Sequence, residues 1–349
     1  MVTTDKLEVV AVPVGWAWLR AFIRLGRPKF LLQSAAAVGL GMTVAAYDGH
    51  PLHPVWYVFA LLGAWISHLM VHYCNEYFDL DADRKNVEHT QWTGGSRVLV
   101  EGLVKPETSL GTAFLLGFLA FFILAAVPDL LVRELGVLLV ALAWFYTAPP
   151  IRLNYRGLGE LTTGICLYGL APLCYRLQAG TWSTMLFAIV VPILFIQMLR
   201  QFLMNLSDIE GDRLADKRTI AVIVGPRIVI RLYIGGQIAC YTLILALGVS
   251  GALPLPVCFA MLLTCPLPIW VGRQLLTEAM RVPRRANLVT FLASMQLPAI
   301  VCAAMSGLVV DTLQGGGHGL ASWVPVYAAT VFICCAWVVG WLLARPRIA

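Results

Sequence analysis

Two stretches of this chain place oxygen-bearing side chains at helical spacing where apolar runs end: "NEYFDLDADR", Asn75 to Arg84, and "MNLSDIEGDRLADKRT", Met204 to Thr219. On a helix, Asn75, Asp79 and Asp83 stand at i, i+4 and i+8 and share one face, while Asp81 points elsewhere. Asp208 and Asp212 repeat the spacing, with Asn205 a turn before and Asp216 a turn after. Left alone, such carboxylates repel one another and oppose the macrodipole at a helix C-terminus. A divalent cation reverses that sign. Mg2+ takes hard oxygen ligands, usually one or two carboxylates together with substrate phosphates. The two clusters, Asn75, Asp79 and Asp83 in the first and Asp208 and Asp212 in the second, are therefore a candidate Mg2+ site. Basic and polar neighbours complete a diphosphate pocket: Arg97 and Lys105 in "TGGSRVLVEGLVKPE", Tyr146 and Arg152 in "FYTAPPIRLNYRG", and Asn205, Lys217 and Arg218 around the second motif. Metal-bound diphosphate is a good leaving group. Its departure from an allylic chain leaves a carbocation, which an apolar, aromatic-lined bundle shields from water.

The elements that must position these groups are membrane helices. Of 349 residues, 59% are hydrophobic and 13% charged, against about a quarter charged in a soluble domain. Apolar runs of spanning length fall at about 30–47, 54–74, 109–127, 130–148 and 159–177, then 184–204, 229–249, 255–271, 288–310 and 323–343. The fold class expected is an all-α integral membrane bundle of nine transmembrane helices plus a tenth at the C-terminus, with both termini cytoplasmic. With the N-terminus inside, alternation puts every Lys and Arg on the cytoplasmic side except Arg133 and Arg176, the asymmetry of the positive-inside rule. Residues 90, 215 and 283 then face the cytoplasm and residues 50, 180 and 316 the other side. Both acidic motifs follow even-numbered spans, so they share the cytoplasmic face, four spans apart, as in two halves of an internal duplication. No cleavable signal peptide is visible, because the short run from Val9 to Trp18 is followed by Arg20, Arg24, Arg27 and Lys29. The net charge of +6 is an orientation signal. No basic and aromatic residues interleave as in a nucleic-acid groove, and the nine cysteines show neither CxxC nor Cys/His metal spacing.

The paired motifs resemble the UbiA-type intramembrane prenyltransferase superfamily, whose first motif reads NDxxDxxxD and second DxxxD. Here they stand as Asn75-Glu76-x-x-Asp79-x-x-x-Asp83 and Asp208-x-x-x-Asp212. "GGSRVLVEGL", "FYTAPP", "YRGLGEL" and "DKRTIAV" are similar to family segments as well, and the likeness runs over about residues 27–310. It implies Mg2+-dependent transfer of a polyprenyl group from its diphosphate to an acceptor, usually an aromatic ring, with Asn75, Asp79, Asp83, Asp208 and Asp212 holding the Mg2+–diphosphate. Within the superfamily, "NEYFD", "GGSRVLVEG" and "DKRTIAV" look most like the menaquinone-pathway branch, which prenylates 1,4-dihydroxy-2-naphthoate. Other phenolic or glycerol acceptors, or cyclisation of the chain, are the alternatives inside the superfamily. Glu76 departs from the usual Asp, Asp216 stands where many members have Gly, and the tenth span lies beyond the likeness. The organisation expected is a cytoplasmic segment 1–29, a prenyltransferase domain 30–310, and an extra helix and tail 311–349.

His68 and His72, at i and i+4 in the second span, read as helix-interface residues hydrogen-bonded to a neighbour. Tyr155 is a weaker site candidate. "QGGGHG" at 314–319 reads as an external loop, and Arg24, Arg27 and Lys29 in "RLGRPKF" as candidate cations for an acceptor carboxylate at the cytoplasmic mouth. The rival class is a cation- or proton-coupled transporter, which would set its acids near the bilayer midplane. Here the acids sit at span ends. The partners expected are a polyprenyl diphosphate, an aromatic acceptor and the lipid bilayer.

Overall fold

The computed structural model describes residues 13–86, 92–277, 280, 282–315 and 324–343. Positions 90 and 316 and most of the 314–319 loop lie outside them, as do Lys6, Arg281, Arg345 and Arg347. Among the described residues the regular structure is helical: α1 (Trp16–Leu25), α2 (Leu31–Tyr47), α3 (Pro54–Phe78), α4 (Leu80–Lys85), α5 (Pro106–Ala125), α6 (Leu130–Trp144), α7 (Gly159–Tyr168) and α8 (Leu170–Ala179). There follow α9 (Thr184–Leu206), α10 (Ile209–Leu214), α11 (Ile220–Val224), α12 (Pro226–Val249), α13 (Leu255–Leu262), α14 (Pro266–Leu276), α15 (Pro283–Leu313) and α16 (Val324–Leu343).

Proline opens α3, α5, α12, α14 and α15 at the first position, where its missing N–H costs nothing. Asp129 and Ser183 cap α6 and α9 by accepting from the amides of Val132 and Leu186 at 3.0 and 3.2 Å. All ten expected apolar runs are helical, and among the described residues seven helical stretches are long and apolar enough to cross a membrane. The fourth run is shorter than expected and the fifth is interrupted. α6 has 15 residues, and the fifth run breaks at Gly169 into α7 and α8, with Pro172 following inside the first turn of α8 and lacking the N–H that would carry the helix through. The eighth run likewise divides before Pro266.

The most buried helix is α2, against which α3, α8, α15 and α16 pack. Close approach is possible because α2 carries glycine at its contacts. A Cβ on Gly41 would fall on the carbonyl oxygen of Ala171 in α8, and one on Gly39 would meet Thr330 of α16. Backbone cannot yield as a side-chain tip can, so Gly41→Ala should force α2 and α8 apart, destabilising by about 1–3 kcal/mol or more. A loss of monodisperse protein in detergent chromatography checks this, with Gly235→Ala, which meets nothing within 4 Å, as the control.

Candidate active site

Each acidic motif sits where a long helix breaks into a short one. Asp79 joins α3 to α4 and Asp208 joins α9 to α10, with φ/ψ of −92°/1° and −103°/0°. At the first break the helical ladder continues, the amides of Asp79 and Asp83 donating to the Asn75 and Asp79 carbonyls at 2.8 and 2.9 Å; at the second the turn tightens, the Asp208 amide donating to Asn205 at 3.2 Å before the Asp212 amide donates to Asp208 at 2.8 Å. The expected common face therefore survives in each motif. α10 packs on α4, a contact permitted by Gly211, whose Cβ position is filled by Asn86. Gly95 leaves its Cβ position to the Asp83 carboxylate.

The two motifs meet at Lys217. Its Nζ lies 3.3 Å from Asp79 Oδ2 and 3.3 Å from Asp212 Oδ1, joining one carboxylate of each motif. Tyr155 donates to Asp79 Oδ1 at 2.9 Å, and Asn86 to Asp208 Oδ1 at 2.7 Å. Burial, then the negative charges of Glu76 and Asp79, raises the Asp83 carboxyl to about 8, against the lowering by Arg27 and Lys217. Burial likewise raises Asp212 to about 7, with Lys217 opposing it and Asp208 and Asp79 adding to it. Asp208 is raised mainly by burial. For Lys217 burial acts downward, but Asp212 and Asp79 outweigh it and hold the ammonium well above its usual range. Among the described residues no three His, Cys, Asp or Glu side chains converge on one metal position. The donor set is nevertheless hard oxygen from two facing motifs, the kind that holds Mg2+ with only one or two carboxylates each and leaves further positions to phosphate oxygens.

A cavity of about 290 Å³ opens from these carboxylates into the bundle. At its mouth stand Asn75, Asp79, Asp83, Asp208, Asp212 and Lys217; further in, the walls become Ala60, Ile123, Leu124, Leu139, Leu173 and Leu177. From Asp79 to Ala60 along α3 the path is about 30 Å at 1.5 Å per residue.

The sequence profile of the UbiA prenyltransferase family matches residues 34–295. The chain belongs to that family. It is an intramembrane prenyltransferase by that membership, a multi-pass membrane enzyme. The chain is similar to the 1,4-dihydroxy-2-naphthoate octaprenyltransferase of Bacillus subtilis (strain 168), 24% identical over 274 residues that cover 76% of this chain and 85% of that protein. It is also similar to the enzyme of the same name from Mycobacterium tuberculosis (strain ATCC 25618 / H37Rv), 30% identical over 222 residues, or 60% of this chain and 71% of that one. In fold it resembles a UbiA homolog from Archaeoglobus fulgidus bound to DMAPP and Mg2+, with a TM-score of 0.54 at 14% identity, covering 91% of this chain and 96% of that one.

Several expected site residues take other positions in this UbiA fold. Asn75 lines the cavity beside the carboxylates, and its side-chain oxygen accepts from Thr147 at 2.7 Å. Asn205 is held by Glu160, to which it donates at 2.9 Å. Tyr146 is buried and lines the cavity. Lys105 is exposed at the N-terminus of α5, and Arg218 is exposed beyond Lys217; neither lines the cavity. Arg97, in the left-handed region at φ 66°, donates to the carbonyls of Asp83 and Asn86, so it braces the first motif from behind. Arg152 lies 3.6 Å over the Tyr155 ring and acts through that residue. Asp216, at φ 55° and exposed, occupies a left-handed turn, a conformation that Gly adopts without strain. Asp81 pairs with Lys85 at 2.7 Å, away from the site.

Glu76 stands close to Asp83 but does not line the cavity. It is 2% exposed, pairs with Arg27, and accepts from the amide and hydroxyl of Ser96, both at 2.7 Å. It ties the "GGSR" loop to α3. Arg27, expected as an acceptor cation, thus has its charge met by Glu76, and Arg24 pairs with Glu101 at the surface. Arg200 corrects the charge map. Counted among the cytoplasmic loop cations, it lies inside α9 and is 4% exposed. Glu160, 1% exposed, was not singled out by its sequence context; it accepts from Asn205 and the Ile220 amide, both at 2.9 Å.

The raised carboxyls give a sign for pH. The folded protein binds more protons than the unfolded chain between the ordinary 3.8 and about 8 for Asp83 or about 7 for Asp212, so metal-free stability falls as pH rises through that window. Mg2+ binds the deprotonated groups. Thermal unfolding in EDTA should therefore weaken from pH 5 to 8.5, and the stabilisation by added Mg2+ should grow over the same range. A Mg2+ shift independent of pH would count against the ligand set.

Proposed function

We propose that this UbiA-family enzyme transfers a polyprenyl group from its diphosphate to 1,4-dihydroxy-2-naphthoate, the acceptor named for its Bacillus and Mycobacterium relatives. The observation that carries the diphosphate half of this reading is Lys217, within 3.3 Å of Asp79 and of Asp212, which makes the two motifs one site. Asp79, Asp83, Asp208 and Asp212 would hold Mg2+, which when bound neutralises the diphosphate as a leaving group. The remaining residues have their own tasks. Lys217 and the Asn75 amide donate to diphosphate oxygens; Tyr155 fixes the Asp79 carboxylate; Arg97 and Glu160 brace the two motifs. The apolar walls from Ile123 to Leu177 take the hydrocarbon and exclude water from the reacting carbon.

The arrangement we infer is nine spans over residues 30–310 with the site facing the cytoplasm, a short cytoplasmic segment 1–29, and α16 as a tenth span within 311–349, both termini inside. Cysteine accessibility at positions 215 and 283, against 50 and 180, tests this arrangement.

The reaction is tested by incubating purified protein with Mg2+, labelled polyprenyl diphosphates of several lengths and a panel of phenolic, glycerol and naphthoate acceptors. Prenylated naphthoquinol formed in step with CO2 supports the reading. Consumption of diphosphate to a cyclic hydrocarbon, or prenylation confined to other acceptors, overturns the acceptor assignment and leaves the family membership untouched.

A further inference from the structure

One wall of the cavity is polar for reasons the diphosphate site does not use. His68 and His72 on α3 and Gln197 and Arg200 on α9 line it within the bundle. Arg200 donates through Nε to Ser294 Oγ at 2.8 Å and lies 5.6 Å over the Phe30 ring. No ion pair among the described residues includes it. A guanidinium buried in a membrane helix is costly unless paired, and its planar fork suits a carboxylate in two-point contact. One turn away, Gln197 is 1% exposed and its Oε1 has no hydrogen-bond partner.

Hydrogen bonds fix the histidine protons. Ser34 Oγ donates to the Leu31 carbonyl at 2.9 Å, so it accepts from His68 Nδ1 at 3.1 Å. His72 Nδ1 donates to the Gly26 carbonyl at 2.7 Å. His72 is thereby the Nδ1–H tautomer, and the same tautomer is assigned to His68 on the Ser34 bond to Leu31, each with Nε2 an acceptor. The expected reading of both residues as helix-interface partners holds for Nδ1 alone. Phe30 meets His72 edge-on at 5.7 Å and Trp92 at 5.9 Å, so the chamber has an aromatic side. Arg200 lies eight residues before Asp208, about 12 Å along the helix, a gap that a diphosphate and an arginine side chain span together.

We propose that this chamber is the acceptor pocket: Arg200 pairs with the carboxylate of a hydroxylated aromatic acid, and Nε2 of His68 accepts a hydrogen bond from its hydroxyl. The inference rests on the prenyl-transfer reading and adds the residues that read its acceptor. Both contacts are binding contacts that set acceptor specificity.

The test is steady-state kinetics of wild type, Arg200→Gln, Arg200→Lys, His68→Phe and His68→Gln at saturating Mg2+. It uses two acceptors that differ only in the carboxylate, 1,4-dihydroxy-2-naphthoate and 1,4-naphthalenediol, the diol followed as substrate or as competitive inhibitor. Arg200→Gln should raise the naphthoate KM by at least about tenfold, leave the constant for the diol and the KM for the polyprenyl diphosphate within about twofold, and be partly rescued by Arg200→Lys. His68→Phe should weaken both acceptors, and His68→Gln, which keeps an acceptor atom, should weaken them less. Equal weakening of both acceptors by Arg200→Gln, or an effect on the diphosphate alone, overturns the anchor while prenyl transfer stands. The unchanged diphosphate KM shows that a variant is folded; if Arg200→Gln cannot be purified, Arg200→Lys carries the same comparison. A wild type that prenylates a different hydroxylated aromatic acid overturns the naphthoate assignment and supports the anchor when Arg200→Gln discriminates that acid from its decarboxylated form. A wild type restricted to acceptors without a carboxylate overturns the anchor.

Discussion

Asp79→Asn and Asp208→Asn should each lower turnover by about 10²–10³-fold while leaving membrane insertion and the detergent elution profile unchanged. The expectation follows from the way the two motifs are joined. Asp79 is held by Tyr155 and Lys217, Asp208 by Asn86, and each substitution removes one charged oxygen from the site proposed to neutralise a leaving diphosphate. Lost transition-state charge stabilisation of several kcal/mol corresponds to that rate loss at 1.36 kcal/mol per decade. Asparagine fills the same volume and keeps a hydrogen-bonding oxygen, so the fold should not register the change. Product formation under saturating polyprenyl diphosphate checks it. More than about a tenth of wild-type turnover in either variant is incompatible with one shared metal–diphosphate site.

Glu76→Ala carries the largest expected effect on stability. Its carboxylate is buried, pairs with Arg27 and accepts twice from Ser96. Removing it strands a part-buried guanidinium and an amide, a change that typically costs about 3–5 kcal/mol. The loss should be smaller in Glu76→Gln, which keeps an acceptor for Ser96. Thermal unfolding in detergent separates the two. A Glu76→Ala protein as stable as wild type would mean that this cluster does not hold the 94–97 turn.

The common face of each acidic motif is legible because its spacing is helical: the amide of Asp83 bonds to Asp79 and that of Asp212 to Asp208, four residues back in each case. The ten apolar runs were legible for the same reason, since each is helical over most of its length. What the sequence hid is direction. Lys105 and Arg218 lie near the motifs in sequence, but the chain turns their side chains to solvent. Glu76 sits between two site residues at Asn75 and Asp79, yet one step along a helix rotates a side chain by about 100°, which carries it to Arg27. Arg200 was hidden by counting it with loop cations. A charge inside an apolar run is itself a signal, and "ILFIQMLRQFL" held that signal throughout. Glu160 gave none, because its partners Asn205 and Ile220 are distant in sequence and the contact exists only in the folded bundle.

One Mg2+-dependent diphosphate site is proposed for two motifs that stand 129 residues apart, from Asp79 to Asp208. The most direct measurement is calorimetric titration of a non-reacting farnesyl thiolodiphosphate into wild type, Asp79→Asn and Asp208→Asn, with Mg2+ and with EDTA. The expected result is one binding site per chain that requires Mg2+ and is lost in either variant. Two independent sites, or wild-type affinity in one of the variants, would contradict it.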